Sequence, residues 1–365
     1  MRRDFWRQFD FVLLGTVVFL CIFGIILIRS AVAGNADLAD YYVRQSIFFG
    51  IGLVIIFITA IIDYHFWQAL SVYMYVFVLA FLLVIYVMGS ASFGAQRWLE
   101  LGLIAVQPSE LAKIVIILVL AHYFSKNRRQ DNVWQWIGGS LLLSVGIVSL
   151  VIIQPNLSIS IVLMVIWFAM LWINGLPTKF LFIFAGIGLL GAIAIFPFLE
   201  DYQKLRVLTF IYPDPNARHG NTYNIEQALI TIGSGGWFGE GYGHATQVQL
   251  RFQKVRHTDY IFSVLCAEFG FVGALIITFL IFYVIYRIFR AAQKAGDLYG
   301  SLICYGFGIL MLFQTMVNIG VNLNLLPVTG LTLPFVSYGG SSLTTLMIGV
   351  GLVESVIMRS KLYDS

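Results

Sequence analysis

In a chain of 365 residues with only 11% charged side chains, an ionisable group inside an apolar run calls for a reason. Three clusters do. The first is Gln107-Pro108-Ser109-Glu110, followed by Lys113. Glu110 and Lys113 are three residues apart and so share a face of a helix, while Pro108 suits the first helical position, where its missing N–H would have no partner. The spacing fits a structural ion pair, or a seat for an anion at a helix N-terminus. The second is His257-Thr258-Asp259, ahead of a long apolar run. There Asp259 is either a helix cap or a general base facing a water-filled vestibule. Glu268, nine residues on and about 13 Å further along a helix, reads as a proton relay or as a hydrogen-bonded structural acid. The third is Ser337-Tyr338-Gly339-Gly340-Ser341-Ser342, whose small hydroxylated residues serve helix packing or offer donors to a ligand oxyanion. Arg97, beside Trp98, could neutralise a phosphate together with Lys113. Such groups suit a substrate whose apolar part stays in a bilayer and whose polar, phosphate-bearing part lies at its surface. Two chemistries fit: moving a lipid-linked head group across, or transferring it to an acceptor.

The elements that must hold these groups follow from composition. At 59% hydrophobic, the chain carries about 215 apolar residues, and a span uses roughly 20. So little charge excludes a soluble enzyme, a disordered chain and a nucleic-acid binder. Ten apolar stretches are marked at about 9–28, 45–62, 68–88, 109–124, 136–153, 158–173, 179–198, 260–288, 300–319 and 334–358. The expected fold is an all-α integral membrane protein of ten transmembrane helices, one polytopic domain over 1–365. Arg2 and Arg3 ahead of the first run, with Ala31-Val32-Ala33 after it, imitate a secretory signal, but the run is too long and is read as a retained helix. Twelve Lys and Arg lie in one set of short ends and only Arg29, Arg44 and Arg97 in the other, which puts both termini in the cytoplasm. Residues 199–259 then form a large extracytoplasmic loop between the seventh and eighth helices, with six basic and six acidic residues. The three clusters fall at the outer starts of the fourth, eighth and tenth helices.

Other patterns carry less. Gly186-Ile187-Gly188-Leu189-Leu190-Gly191 has dinucleotide-loop spacing, but it lies inside a span with no strand before it and reads as a packing face. The Gly-rich run 233–243 lacks a phosphate loop's Lys-Ser/Thr and reads as turns. The apolar loop 325–331, broken by Pro327 and Gly330, reads as a re-entrant segment covered by protein. No His or Cys spacing suggests a metal site, and Cys21, Cys266 and Cys304 lie in apolar runs.

Arg97-Trp98, Gln107 to Lys113, Gln154-Pro155, Gly233-Ser234-Gly235-Gly236, His257-Thr258-Asp259, Glu268-Phe269-Gly270 and the stretch 318–342 together carry a resemblance. The chain resembles the SEDS (shape, elongation, division and sporulation) family, the RodA/FtsW group of peptidoglycan glycosyltransferases, and is more RodA-like than FtsW-like. The resemblance implies polymerisation of lipid II at the outer face of a bacterial cytoplasmic membrane, in cell elongation, beside a class B penicillin-binding protein that cross-links the strand. It makes Asp259 the general base. Arg97, Gln107, Ser109, Glu110, Lys113, His257, Thr258, Ser337 and Ser341 become the substrate-binding set, with Glu110 orienting Lys113. Arg97, Lys113 or a divalent cation, Mg or Mn, would stabilise the departing pyrophosphate, although no ligand spacing indicates a cation. The chain departs from the family pattern at Asn156, where aspartate is usual, and at Ala267, where a second acid is usual. A lipid-linked precursor flippase and a non-catalytic scaffold for the penicillin-binding protein are the alternatives.

Overall fold

A computed structural model describes residues 8–35, 38–88, 90–92, 95–101, 104–127, 133–213, 220–250, 252 and 255–360 of the chain; the side chains of 88–106 and of 181, 185, 189, 192, 198 and 221 lie outside the description. All ten apolar stretches are helical: α1 (Phe11–Val32), α2 (Tyr41–Ile61), α3 (Tyr64–Met88), α4 (Pro108–Lys126), α5 (Val133–Ile153), α6 (Leu157–Ile173), α7 (Lys179–Ile195), then, after the two longer helices of the long loop, α8 (Asp201–Ile211) and α9 (Asn221–Ser234), α10 (Ile261–Gln293), α11 (Leu298–Asn322) and α12 (Gly340–Arg359). Eight are long and apolar enough to cross a membrane. The shorter α6 and α7 have 17 residues each, about 26 Å at 1.5 Å per residue. The all-α expectation misses one feature, a small antiparallel sheet of β1 (Ser90–Ser92), β2 (Ala95–Leu101) and β3 (Ile104–Val106) in that order. Short strands folded back on one another satisfy backbone groups that the stretch between α3 and α4 could not pair as a helix.

Local chemistry sets the helix starts. Asp10 caps α1 by accepting from the amides of Val12 (3.1 Å) and Leu13 (3.0 Å), Asn156 caps α6 through Ile159, and Asp297 caps α11 through Tyr299 and Gly300. Pro108 opens α4, as its fixed φ favours. The helix at the last apolar stretch begins later than its pattern suggests: Pro334 to Tyr338 form turns, and α12 starts at Gly340.

Burial orders the bundle. About 78% of the spanning windows of α4 and α12 and 67% of that of α11 are buried, against 22% for α3, so these three form the centre. α11 and α12 each carry eight Ser, Thr, Asn and Gly residues, which allow close approach and interhelical hydrogen bonds. α12 packs along α2 and reaches α1. A Cβ at Gly24 of α1 would come 2.7 Å from the carbonyl of Val336, in the turn before α12, and one at Gly52 of α2 would meet the Met347 side chain at 2.7 Å. The Ser355 hydroxyl donates to Ile62 O at 2.7 Å, and Arg359 donates to Ala60 O at 3.2 Å and Ile61 O at 2.7 Å.

The polar contacts gather at two ends. At one, Arg287 on α10 pairs with Asp10, whose backbone N–H donates to Glu354 of α12 at 3.0 Å, while Arg359 reaches Asp63 at 3.2 Å and Tyr64 bonds Asp297. The other end holds the three clusters.

The long loop is more than a covering. The backbone of α10 leaves helical geometry at Gly270 (φ 67°, ψ −170°), and the Gly-rich run 233–243, expected as plain turns, docks into the break. Glu240 N donates to Ala267 O (2.9 Å) and Gly241 N to Glu268 O (3.1 Å), while Phe271 N donates to Gly236 O (2.9 Å) and Val272 N to Trp237 O (3.1 Å). Interrupting a helix orphans amides and carbonyls on either side, and here the loop takes them. Only glycine fits at the contact, because a Cβ at Gly270 would lie 2.5 Å from the Phe238 nitrogen. Gly186, Gly188 and Gly191, by contrast, face open space rather than a packing partner.

Candidate active site

Asp259 lies two residues before α10, partly buried, with its backbone held from α11. Asn318 and Asn322, one turn apart, both donate to its carbonyl, at 3.0 and 2.9 Å. Asn318 also donates to Leu331 O at 2.8 Å, and Asn322 accepts from Ser263 N at 3.1 Å. Two amides therefore join the start of α10 to the loop before α12. The Asp259 carboxylate faces that loop: a Cβ at Gly330 would lie 3.8 Å from its Oδ2. Burial raises its pKa to about 6, with the nearby Arg206 guanidinium pulling the other way. Such a carboxyl is ionised at neutral pH yet basic enough to take a proton.

Arg206 was not among the sequence candidates. It projects from α8, donates to Thr329 O at 3.2 Å, and lies 5.7 Å from the centre of the Tyr202 ring. On the same helix Tyr202 and Gln203 donate to the carbonyl of Pro155, and Ser158 donates to Thr329 O. α8 thus brings a cation to Asp259 and ties the loop before α12 to the start of α6.

His257 and Thr258 serve as neighbours of the acid in different ways. His257 is 7% exposed, edge-on to Tyr41 with ring centres 5.2 Å apart and 5.9 Å from Tyr338, which stacks on Tyr41. Burial, with Arg256 beside it, lowers its pKa to about 4, so it is neutral at pH 7. The Thr258 hydroxyl donates to Val255 O at 3.2 Å, and its carbonyl accepts from Ser337 at 2.8 Å. Ser337 also accepts from Leu333 N at 2.8 Å, so its hydroxyl is engaged within the protein. Gln45 of α2 bonds Ser337 O and Gly339 N, both at 3.2 Å.

The cluster at the start of α4 is as compact. Lys113 Nζ meets Glu110 Oε2 at 2.7 Å, with side chains 1% and 9% exposed. The ion pair that the spacing allows is formed. Gln107 N donates to the Ser341 hydroxyl at 3.1 Å, and Asn156 donates to that of Ser109 at 3.4 Å. A departure from the family pattern, Asn156, is therefore part of the cluster. Arg97 has its backbone in β2, and its side chain is outside the described set.

Glu268 is 1% exposed and accepts from the Ser30 hydroxyl of α1 and from Gly243 N (3.3 Å). It latches the docked Gly-rich run to the first helix. Among the described residues no three His, Cys, Asp or Glu side chains are grouped to hold a metal ion. Gln45, Arg206 and Asn322 escaped the sequence reading. Gln45, a lone amide in an apolar run, carried a readable signal, whereas the others act across contacts that spacing does not encode.

The family model described as cell cycle protein, FtsW/RodA/SpoVE, matches residues 11–362. The chain is 33% identical to the peptidoglycan glycosyltransferase MrdB of Escherichia coli (strain K12) over 368 residues, 99% of this chain and 97% of that protein. It is 34% identical to the probable peptidoglycan glycosyltransferase FtsW of Hydrogenovibrio crunogenus over 376 residues, covering 98% and 95%. Among solved structures, it aligns with the rod shape determining protein RodA of Thermus thermophilus at TM-score 0.72 and 30% identity, over 98% of each chain. With a chain of a peptidoglycan synthase complex described as coordinating polymerization and crosslinking, the TM-score is 0.82 at 31% identity, over 96% of this chain and 98% of that one. Matched over nearly its whole length in sequence and in fold, the chain belongs to the FtsW/RodA/SpoVE family.

Proposed function

We propose that the chain is a peptidoglycan glycosyltransferase that joins lipid II units into glycan strands beside a class B penicillin-binding protein, with Asp259 as its general base. The observation that carries the mechanism is Asp259 itself, a carboxyl held by two asparagines through its own carbonyl, raised to about 6 by burial and set beside one arginine. The acceptor sugar's 4-hydroxyl is a weak nucleophile until a positioned base takes its proton. As that oxygen bonds to the donor's anomeric carbon, the bond from that carbon to the lipid pyrophosphate breaks, the pyrophosphate leaves with the electron pair, and Asp259 keeps the proton. Attack opposite the leaving group inverts the anomeric centre. Negative charge grows on phosphate oxygens, and Arg206, Lys113 and Arg97 are the cations available to offset it.

In this reading all ten apolar helices cross the cytoplasmic membrane as one polytopic domain, both termini are cytoplasmic, and residues 199–259 lie outside with the active site. The rule that basic residues concentrate on the cytoplasmic side supports it, as do the bonds that join Asp10, Asp63, Arg287 and Arg359 at one end. The same bonds favour transfer over flipping, since a flippase must open toward that end. A role in elongation is tested by whether the gene restores rod shape to RodA-depleted cells.

The direct test combines purified protein, its penicillin-binding partner and lipid II. Glycan strands should form, and Asp259→Ala should abolish them while the complex and its melting temperature persist. Normal polymer from that variant would overturn the assignment of the base, and translocation of lipid II in liposomes without polymer would favour the flippase.

A further inference from the structure

The break at Gly270 also has a depth. The basic end of α10 is marked by Arg287, tied to Asp10 at the start of α1. From there back to Gly270 is 17 residues, about 26 Å of helix, close to the roughly 30 Å hydrocarbon thickness of a bilayer. The break therefore lies near the opposite boundary between acyl chains and head groups, and residues 261–269 stand beyond it.

At that level two aromatic residues project from the docked turn. Trp237 is 69% and Phe238 81% exposed. The Trp237 ring lies edge-on to Phe271, with centres 5.4 Å apart. Phe271 heads an exposed stripe on α10 with Leu275 and Phe279, spaced four residues apart on one face. In a membrane this stripe meets lipid, so the aromatic pair continues a lipid-facing surface at its outer edge. Trp, with an apolar body and one N–H donor, partitions to such a boundary.

We propose that Trp237 and Phe238 form an interfacial anchor, by which the long loop is pinned to the outer leaflet of the bilayer at its Gly-rich turn. The occupant of this exposed aromatic surface is lipid at the junction of head group and acyl chain. The four backbone bonds at the break and the Glu268 latch make the anchor rigid with α10, so α9, which leads into the turn, and the segment that leads out to Asp259 are held at a set height above the membrane. The inference needs only that α10 spans the bilayer, and it stands whether or not the chain transfers sugar.

The test uses the full chain in phosphatidylcholine vesicles whose acyl chains carry bromine either near the head group or near the terminal methyl. Subtracting the fluorescence of Trp237→Phe from that of the unaltered protein isolates Trp237. The expected result is that this difference signal loses most of its intensity to the shallow bromines, less to the deep ones and little to aqueous iodide. Dominant quenching by iodide, stronger quenching by the deep bromines, or quenching by neither lipid would each overturn the proposal. A second variant guards against misfolding of the first. Because Cys21, Cys266 and Cys304 are buried, Phe238→Cys takes a single nitroxide label, whose collisions with oxygen should exceed those with a water-soluble nickel chelate. The reverse order would also overturn it.

Discussion

Burial and the charge of Arg206 act in opposite directions on Asp259, and that opposition fixes how the protein should respond to pH. Burial raises the acid to about 6 and Arg206 lowers it. A general base must be ionised, so kcat/KM should climb as pH rises through about 6 and level off above it. Arg206→Ala removes the only influence here that favours the carboxylate, so the acidic limb should move to higher pH, and activity near neutrality should fall more than activity at pH 8. Arg206→Lys, keeping the charge, should restore most of the limb's position. A profile unmoved by Arg206→Ala would separate the arginine from the base. At this scale much was legible in the sequence, because Glu110, Lys113, Asp259 and Glu268 stand out against so apolar a background. Arg206 was not. Six basic residues of the long loop look alike until the fold brings α8 against the loop before α12, and no spacing rule records that meeting.

Among the elements, α10 carries the sharpest difference between pattern and structure. Its 33 residues read as one long apolar helix, since a single glycine inside a helical pattern is tolerated and gives no sign of a break. What breaks it is the Gly-rich run, some 30 residues earlier in the chain. The two views predict opposite signs for Gly270→Ala. In a continuous helix alanine would stabilise by about 1 kcal/mol. In the broken helix it must adopt a positive φ and collide with Phe238 and Gly239, so the protein should lose at least about 2 kcal/mol. Thermal unfolding in detergent decides the sign, with protease cleavage within 233–243 as the local readout. The ten helices were readable from composition, and α4 from its proline and ion pair. The small sheet and the helices inside the long loop were not, because their apolar positions are too few to override the polar residues among them.

For the molecule as a whole, one end is closed by bonds that join six helices, and its strength is measurable. Arg287→Ala would leave the carboxyls of Asp10 and Glu354 close together without the guanidinium that pairs with Asp10. Since the pair is only partly buried, the expected cost is about 1–3 kcal/mol, seen as a lower melting temperature. Polymerisation by the folded fraction should be unchanged, and no lipid translocation should appear. The same bonds set a timetable for biosynthesis. Helix α12 lies along α2 and the turn before it slots against Gly24 of α1, while Gln45 waits for Ser337 and Asp10 for Glu354. Helices made first must therefore remain without these partners until residues 334–359 leave the ribosome and enter the membrane. A nascent chain stopped before residue 334 would present open slots and unmet polar groups to the insertion and quality-control machinery, so the active site forms only once this segment has been made.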